Sequence, residues 1–118
     1  MLKREIVKYI RDRAKNRYPK KVSCEICSTD ANLQLHHYNS VSELAHRYVD
    51  KTGVNESDVL DWRDEFISSH SAELYTDVVT LCKKHHNMLH DIYGQHPELR
   101  TAKLQKKWVA TRRDKFNV

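Results

Sequence analysis

The chain has 118 residues, of which 39% are hydrophobic and 31% charged, with a formal net charge of +5. This length fits one domain, residues 1–118, and the sequence has no apolar run long enough to span a membrane. The charge is segregated, because residues 1–21 hold nine Lys/Arg against two acids, residues 98–118 seven against two, and residues 41–81 nine acids against three bases.

The first predicted element is a basic amphipathic helix over residues 2–17. Leu2, Ile6 and Ile10 recur at four-residue spacing and share one face, while basic residues fill the other. Pro19 is expected to stop this helix. The charged residues that interrupt its apolar positions argue against a signal peptide.

The next predicted features are a cysteine turn and a short strand. Cys24-x-x-Cys27 contains two of the three cysteines, and this spacing fits metal binding in a reduced compartment better than a disulfide framework. We therefore expect a cytoplasmic setting. Alternation of apolar and polar residues from Leu33 to Tyr38 predicts the strand.

An acidic helical insert over residues 41–76 is predicted to follow. Ser40 and Glu43 have the spacing of a capping box, and Gly53 would end the first of two helices. Asn55 could cap the second.

The last third of the chain predicts a strand followed by two helices. Residues 77–81 are rich in β-branched side chains and predict the strand. A helix is expected from Lys83 to Tyr93, ended by Gly94. A basic helix over residues 97–115 would follow, with three apolar residues on one side, namely Leu99, Leu104 and Trp108. The pattern predicts a mainly helical α+β protein.

Two pairs of ligand-type residues predict a structural zinc site. Cys24-x-x-Cys27 and Cys82-x-x-His85 each allow two side chains to converge from one turn, and four thiolate or imidazole ligands form a closed tetrahedral set. The fourth ligand stays open between His85 and His86. Buried free cysteines are the alternative interpretation.

A second group of histidines predicts a separate metal site. Residues four apart share a helix face, so His86 and His90 can bind one ion. His85 lies ~100° from His86 around the helix, which would keep the two sites distinct. Only one of His36 and His37 is needed as a ligand, which leaves the other imidazole for proton transfer. Three further histidines are expected to be structural: His46, His70 and His96.

Taken in order, these motifs resemble the HNH nuclease family, also called the ββα-metal or His-Me finger family. The resemblance covers about residues 22–93. It implies a ββα-metal core, made of a two-stranded hairpin and a helix and held together by zinc. The helical insert and the basic terminal helices would flank this core.

The resemblance also implies an activity, a metal-dependent endonuclease that hydrolyses phosphodiester bonds of DNA, with double-stranded DNA as the expected partner. His37 would be the general base that activates water, and one divalent cation (Mg²⁺, Mn²⁺, Ni²⁺ or Zn²⁺) would stabilise the departing 3′ oxygen. The implied ligands of that cation are His36, His86 and His90. The implied ligands of the structural Zn²⁺ are Cys24, Cys27, Cys82 and His85.

One position departs from the family pattern. Asp77 stands where the family has an asparagine that braces the loop between the strands, and an aspartate can only accept hydrogen bonds. We expect Asp77 to brace the loop by accepting from backbone N–H groups. The alternative that this departure supports is a zinc-stabilised nucleic-acid-binding module without catalysis.

The basic ends of the chain are candidates for contacts with DNA phosphates. The alternative is that they are solvated faces of surface helices. The candidate residues are Arg11, Arg13, Lys15, Arg17, Lys103, Lys106 and Lys107.

Overall fold

A computed structural model describes residues 3–116 of the protein. Its helices are α1 (Lys3–Ala14), α2 (Val41–Thr52), α3 (Val59–Ser69), α4 (Lys83–Tyr93) and α5 (Ala102–Phe116). Its strands are β1 (Leu33–His37) and β2 (Val78–Cys82). Short 3₁₀ turns cover Lys15–Arg17, Glu56–Asp58 and Leu99–Thr101, and a π-helical turn covers Ala72–Thr76. This confirms a mainly helical α+β protein.

The two strands form an antiparallel pair although the whole acidic insert separates them in sequence. Leu33 pairs with Cys82 at one end, and His37 pairs with Val78 at the other. The backbone pairing extends one step further, because Tyr38 N donates to Asp77 O at 3.3 Å. Helix α4 begins directly after β2, so that its histidines lie beside the end of the strand pair.

The first of two apolar cores is helical. Helices α1, α2 and α3 pack around it, and the buried Leu74 of the π-helical turn joins them. Its buried members are Ile6, Ile10, Val41, Leu44, Ala45, Val59, Trp62, Phe66 and Leu74. Trp62 is 5% exposed, and its indole N–H donates to Asn55 O at 3.0 Å.

The second core lies under the strand pair. Its buried members are Cys24, Ile26, Tyr38, Leu81, Cys82, Leu89 and Val109. The apolar side predicted for α5 was wrong at Leu104, which is 53% exposed. Gln105 and Val109 are the buried residues of α5 instead.

The capping residues of the insert are where the sequence predicted them. Ser40 accepts from the Glu43 N–H at 3.3 Å, and Gly53 ends α2 in a left-handed conformation. Asn55 accepts from the Ser57 N–H at 2.9 Å, although it caps the 3₁₀ turn that leads into α3. Gly94 follows α4.

Several predicted boundaries differ from the observed ones. The α-helical part of the first helix ends at Ala14, and the chain tightens into a 3₁₀ turn before Pro19. Position 2 of that prediction lies outside the described residues. The last helix begins at Ala102, after a 3₁₀ turn, and the π-helical turn was not predicted. No helix among residues 3–116 is both long and apolar enough to cross a bilayer.

Candidate metal centres and catalytic pocket

Three thiols and one imidazole converge at the base of the strand pair. Cys27 Sγ lies 3.9 Å from Cys82 Sγ, and His85 Nδ1 lies 3.3 Å from Cys82 Sγ and 3.9 Å from Cys24 Sγ. With bonds of about 2.3 Å to sulfur and 2.1 Å to nitrogen, a tetrahedral zinc ion would separate its ligand atoms by about 3.6–3.8 Å. The four side chains therefore fit zinc.

The local backbone explains why the two cysteines of the turn face the same point. Cys24 N donates to Thr29 O at 2.8 Å, and Ser28 N donates to Cys24 O at 2.9 Å, which closes a tight turn. Glu25 N donates to Thr80 O at 2.9 Å and fixes this turn against β2. Burial raises the pKa of the Cys24 thiol, but backbone N–H groups outweigh that effect, so its pKa lies below the ordinary value. This favours the thiolate, the form that binds metal.

Three imidazoles form a second cluster between β1 and α4. His86 Nε2 lies 3.1 Å from His36 Nδ1 and 2.9 Å from His90 Nε2. Ligand atoms of these three residues all lie within 4.8 Å of one another. Bonds of about 2.1 Å to one cation would hold neighbouring nitrogens about 3.0–3.4 Å apart. The two separations from His86 therefore match a shared ion.

Each of the three rings has an inward nitrogen that faces the cluster and an outward nitrogen that faces away from it. The partner of the outward nitrogen determines whether the inward one is free to bind a cation. His86 Nδ1 lies 2.6 Å from Gln34 Oε1, and His90 Nδ1 lies 2.8 Å from the carbonyl oxygen of Gly94. His36 Nε2 lies 2.7 Å from Gln105 Oε1. The Gly94 carbonyl and the Gln105 Oε1 atom are acceptors, so His90 Nδ1 and His36 Nε2 each carry a proton.

Three imidazole nitrogens then face one another. His86 Nε2 can carry at most one proton, which can directly bridge only one of its two short contacts. A cation placed between them removes this conflict. Donation of the second ring N–H to an oxygen is also the usual arrangement of histidine metal ligands. The cluster fits a divalent cation.

Burial keeps the two most enclosed imidazoles of this cluster neutral. It lowers the pKa of His36 to about 3, with His86 and His90 adding to the effect against Gln105, and it lowers the pKa of His86 to about 4. Neutral imidazole is the metal-binding form. These rings therefore need not release a proton before binding an ion at neutral pH.

His37 shares an open depression of about 260 Å³ with His86 and His90. Its Nε2 lies 3.1 Å from the carbonyl oxygen of Leu74, and its ring packs edge-on against Tyr18 at 4.8 Å. The Leu74 oxygen accepts the Nε2 proton, so Nδ1 is the unprotonated nitrogen. Burial is the main cause that lowers the pKa of His37 to about 4, with the Leu74 carbonyl opposing this effect and the Arg11 charge adding to it. His37 is therefore neutral and can accept a proton.

One comparison with known proteins identifies the family of this chain. The model of the nicking endonuclease family, which is named for phage T5, matches residues 1–118. The chain belongs to the nicking endonuclease family. This membership makes it a nuclease that cleaves DNA. No solved structure matches it.

The basic side chains of this nicking endonuclease do not have equivalent surroundings. Arg11 lines the depression that contains His37, and it has no acidic partner among the side chains that the structure describes. Lys103 and Lys107 are exposed and likewise unpaired among those side chains. The others are engaged: Arg13 with Asp64 at 3.0 Å, Lys15 with Asp12 at 3.8 Å, Lys106 with Asp77 at 3.0 Å, and Arg17 over the Tyr75 ring at 5.6 Å.

The predicted contacts of the Asp77 carboxylate are corrected by the structure. Its Oδ1 accepts from Lys106 Nζ on α5, and no backbone N–H of the described chain donates to it. The backbone of Asp77 makes the contacts within the loop, because Asp77 N donates to Ala72 O at 2.8 Å and Asp77 O accepts from Tyr38 N. The π-helical turn places the side chain toward α5.

Sequence reasoning missed three participants in this site. Gln105 is fully buried and contacts His36, but a glutamine in a basic amphipathic helix looks like a surface residue. Leu74 takes part through a backbone carbonyl, which no side-chain pattern reveals. His96, expected to be only structural, lines the depression beside His86 and His90, and its closeness to the end of α4 was the available signal.

Proposed function

We propose that this nicking endonuclease is a metal-dependent enzyme of the HNH type, with a ββα-metal core formed by β1, β2 and α4. The observation that carries the proposal is the convergence of three imidazole nitrogens beside a fourth histidine, whose ring is oriented separately by the Leu74 carbonyl. His36, His86 and His90 would hold the divalent cation. His37 stands apart from them and keeps Nδ1 free for proton transfer.

In the proposed mechanism His37 is the general base. Its Nδ1 takes a proton from a water molecule while the water oxygen forms a bond to phosphorus, and the bond from phosphorus to the 3′ oxygen breaks. The 3′ oxygen takes up a proton from solvent water and His37 later releases its proton to solvent, which leaves a 3′ hydroxyl and a 5′ phosphate. The cation, when bound, supplies positive charge that stabilises the developing oxyanions. The Leu74 carbonyl holds the His37 ring in the tautomer that this step requires.

We propose a purely structural role for the second metal site. Cys24, Cys27, Cys82 and His85 form a closed set, and three of the four are among the buried residues of the chain. A closed set of four ligands leaves no position for water or substrate, which is the mark of a structural zinc. Zinc there would fix the cysteine turn to β2 and to the start of α4.

The depression also offers a position for a DNA strand. Arg11 brings a positive charge, unpaired among the described side chains, to the site that contains His37, and a phosphate there would be attracted to it. The described residues contain one histidine cluster of this type, so that one chain would cut one strand at a time. This agrees with a nicking activity.

The test is conversion of supercoiled plasmid to the open-circular form. After removal of loosely bound metal, nicking should require added Mn²⁺, Ni²⁺, Mg²⁺ or Zn²⁺, and His37→Ala should lower the rate by about 100- to 10,000-fold. His46→Ala is the matched control, because His46 lies on α2 outside the depression and should leave the rate unchanged. If His37→Ala nicks within a few-fold of wild type, the assignment of the base is wrong. If DNA is bound but never cut with any of these ions, the protein is a binding module.

A further inference from the structure

The fully buried Gln105 on α5 contacts the site from outside the nuclease motif. It lies 69 residues from His36 in sequence, yet its Oε1 is 2.7 Å from His36 Nε2. Its amide nitrogen donates to the Tyr38 carbonyl oxygen at 3.2 Å and to Thr101 Oγ1 at 2.9 Å. All three contacts are made by one side chain.

These partners fix which way the amide faces. A backbone carbonyl oxygen can only accept, so the Gln105 atom facing Tyr38 must be the NH₂ group. The Oε1 atom therefore faces His36 and can only accept from it. His36 Nε2 must then carry the proton, and Nδ1, which faces His86, must be unprotonated.

We infer that Gln105 is a positioning residue for metal binding, which sets the tautomer and the ring orientation of His36. This inference rests on the proposed metal site. It assigns α5, which the resemblance to HNH nucleases does not cover, a direct role in presenting one ligand of the cation. Without Gln105, the His36 ring could carry its proton on Nδ1 and turn its protonated nitrogen toward the ion.

His36 depends on this contact more than the other two ligands depend on theirs. His90 donates to the backbone oxygen of Gly94, which is fixed by the end of α4. His86 Nδ1 contacts the exposed Gln34, where water can take over the same role. His36 is 2% exposed, so neither water nor a backbone carbonyl replaces Gln105 as its acceptor.

The experiment measures metal affinity, separately from cleavage. Mn²⁺ and Ni²⁺ are titrated calorimetrically into protein whose cysteine site is filled with zinc. Gln105→Met, which keeps the size and removes the acceptor, should weaken binding by about 10- to 100-fold, as losses of such outer contacts usually do. Gln105→Glu keeps an acceptor for His36 and should bind the ions at least ten times more tightly than Gln105→Met.

Thr101→Val is the matched control. It removes another partner of Gln105 at the same end of α5 and leaves the contact with His36 in place. Its ion affinity should stay within about threefold of wild type. If it weakens binding as much as Gln105→Met does, the role of Gln105 is only to pack α5.

A spectroscopic readout separates tautomer from packing. Long-range ¹H–¹⁵N spectra of the zinc-saturated protein should show His36 protonated at Nε2 in the wild type and in Gln105→Glu. In Gln105→Met that proton should exchange rapidly or be lost. If Gln105→Met binds ions as the wild type does, the inference about Gln105 is wrong while the proposed metal site stands. If the wild type binds no ion at the histidines, both are wrong.

Discussion

The two cores of this protein differ in the kinds of side chain that fill them. The helical core under α1, α2 and α3 contains large apolar side chains such as Phe66 and Trp62, which are almost entirely buried. The core under the strand pair is smaller, and two of its seven buried members are the thiols Cys24 and Cys82. The first resembles an ordinary helical bundle, whereas the second has metal-binding atoms where apolar atoms would normally lie.

This difference indicates how each half is stabilised. Burial of side chains such as Phe66 contributes about 1.5–3 kcal/mol each and requires no cofactor. A two-stranded hairpin, in contrast, is marginal in water unless something packs against it. The strand pair that positions His36 and His37 therefore depends on the proposed zinc, whereas the helical half does not.

The largest expected effect is at the proposed zinc site, where a change should destabilise one half of the protein and spare the other. Cys24→Ser, or removal of zinc by a strong chelator, should unfold the strand pair and α4, because structural zinc contributes about 10–16 kcal/mol in small zinc-dependent folds. Hydrogen exchange should show loss of protection in β1, β2 and α4, with protection largely retained in α1 and α3. Elemental analysis should return about one zinc per untreated chain.

The control for that experiment is Phe66→Ala in the helical core. It should destabilise the protein by about 3–5 kcal/mol while leaving the zinc content unchanged. A Cys24→Ser protein that melts at the wild-type temperature would contradict the proposed structural zinc. Equal loss of protection in both halves after chelation would contradict their independence.

The contrast between the two halves also explains what the sequence could predict. Caps act locally, so Ser40, Gly53 and Gly94 could be placed from their neighbours alone. Ligand spacing is local too, and it narrowed the fourth member of the cysteine site to His85 or His86. The competing choice, His86, lies in the other cluster because one residue along α4 turns the side chain to another face.

The failures of prediction have a common cause, which is packing between distant elements. Leu104 and Gln105 are neighbours on α5, and their exposure is the reverse of their polarity. The reason is that α5 turns Gln105 toward the buried His36, where its Oε1 lies 2.7 Å from the ring, and leaves Leu104 at the surface. The π-helical turn has the same origin, since it presents the Leu74 carbonyl to His37. Neither requirement is visible in periodicity.

A second prediction concerns the half of the protein that contains the strand pair and His37, whose stability should depend on pH. Burial lowers the pKa of His37 from 6.5 to about 4 in the folded protein. Between these values the unfolded chain carries a proton that the folded one does not, so stability present above pH 6.5 is lost as the pH falls toward 4. Near pH 5 this one group should add ~1.4 kcal/mol per pH unit to the slope of the unfolding free energy.

The measurement compares wild type with His37→Asn by urea unfolding between pH 4.5 and 6, both with excess zinc. Protonation of the zinc ligands affects both proteins alike. The difference between their two slopes therefore measures the titration of His37 alone. We expect the variant to have the shallower slope. Parallel slopes would show that the His37 ring titrates normally and is not enclosed as described.

A third, smaller effect concerns the two arginines on α1 that lie two residues apart. Arg11 faces the depression without an acidic partner among the described side chains, whereas Arg13 is paired with Asp64. Arg11→Gln should reduce the slope of log affinity for duplex DNA against log salt by ~0.9, the value for one lost phosphate contact. Arg13→Gln is the matched control and should change that slope by less than half as much.

These two variants are compared with a third, in which Lys103 and Lys107 are both changed to Gln. If the slope falls with the α5 pair but not with Arg11→Gln, DNA lies along α5 and not over the depression. If none of the three changes alters the slope, the basic ends are solvated helix faces that do not contact phosphates.

The smallest expected effect is at Asp77, where the chain departs from the HNH pattern. Among the described residues its carboxylate is paired only with Lys106, and both side chains are more than a third exposed, at 38% and 44%. Exposed ion pairs of this kind contribute about 0–1 kcal/mol. The loop itself is held by the backbone of Asp77, which a change of side chain does not remove. Asp77→Ala should therefore lower the unfolding free energy by less than about 1 kcal/mol, and Asp77→Asn should nick at the wild-type rate.

Lys106→Ala and the double variant complete a cycle in which the two single effects should overlap, because each removes the same contact. An Asp77→Asn protein that folds and binds metal but fails to nick would show that the carboxylate itself serves catalysis, and that its contact with Lys106 is not its main role.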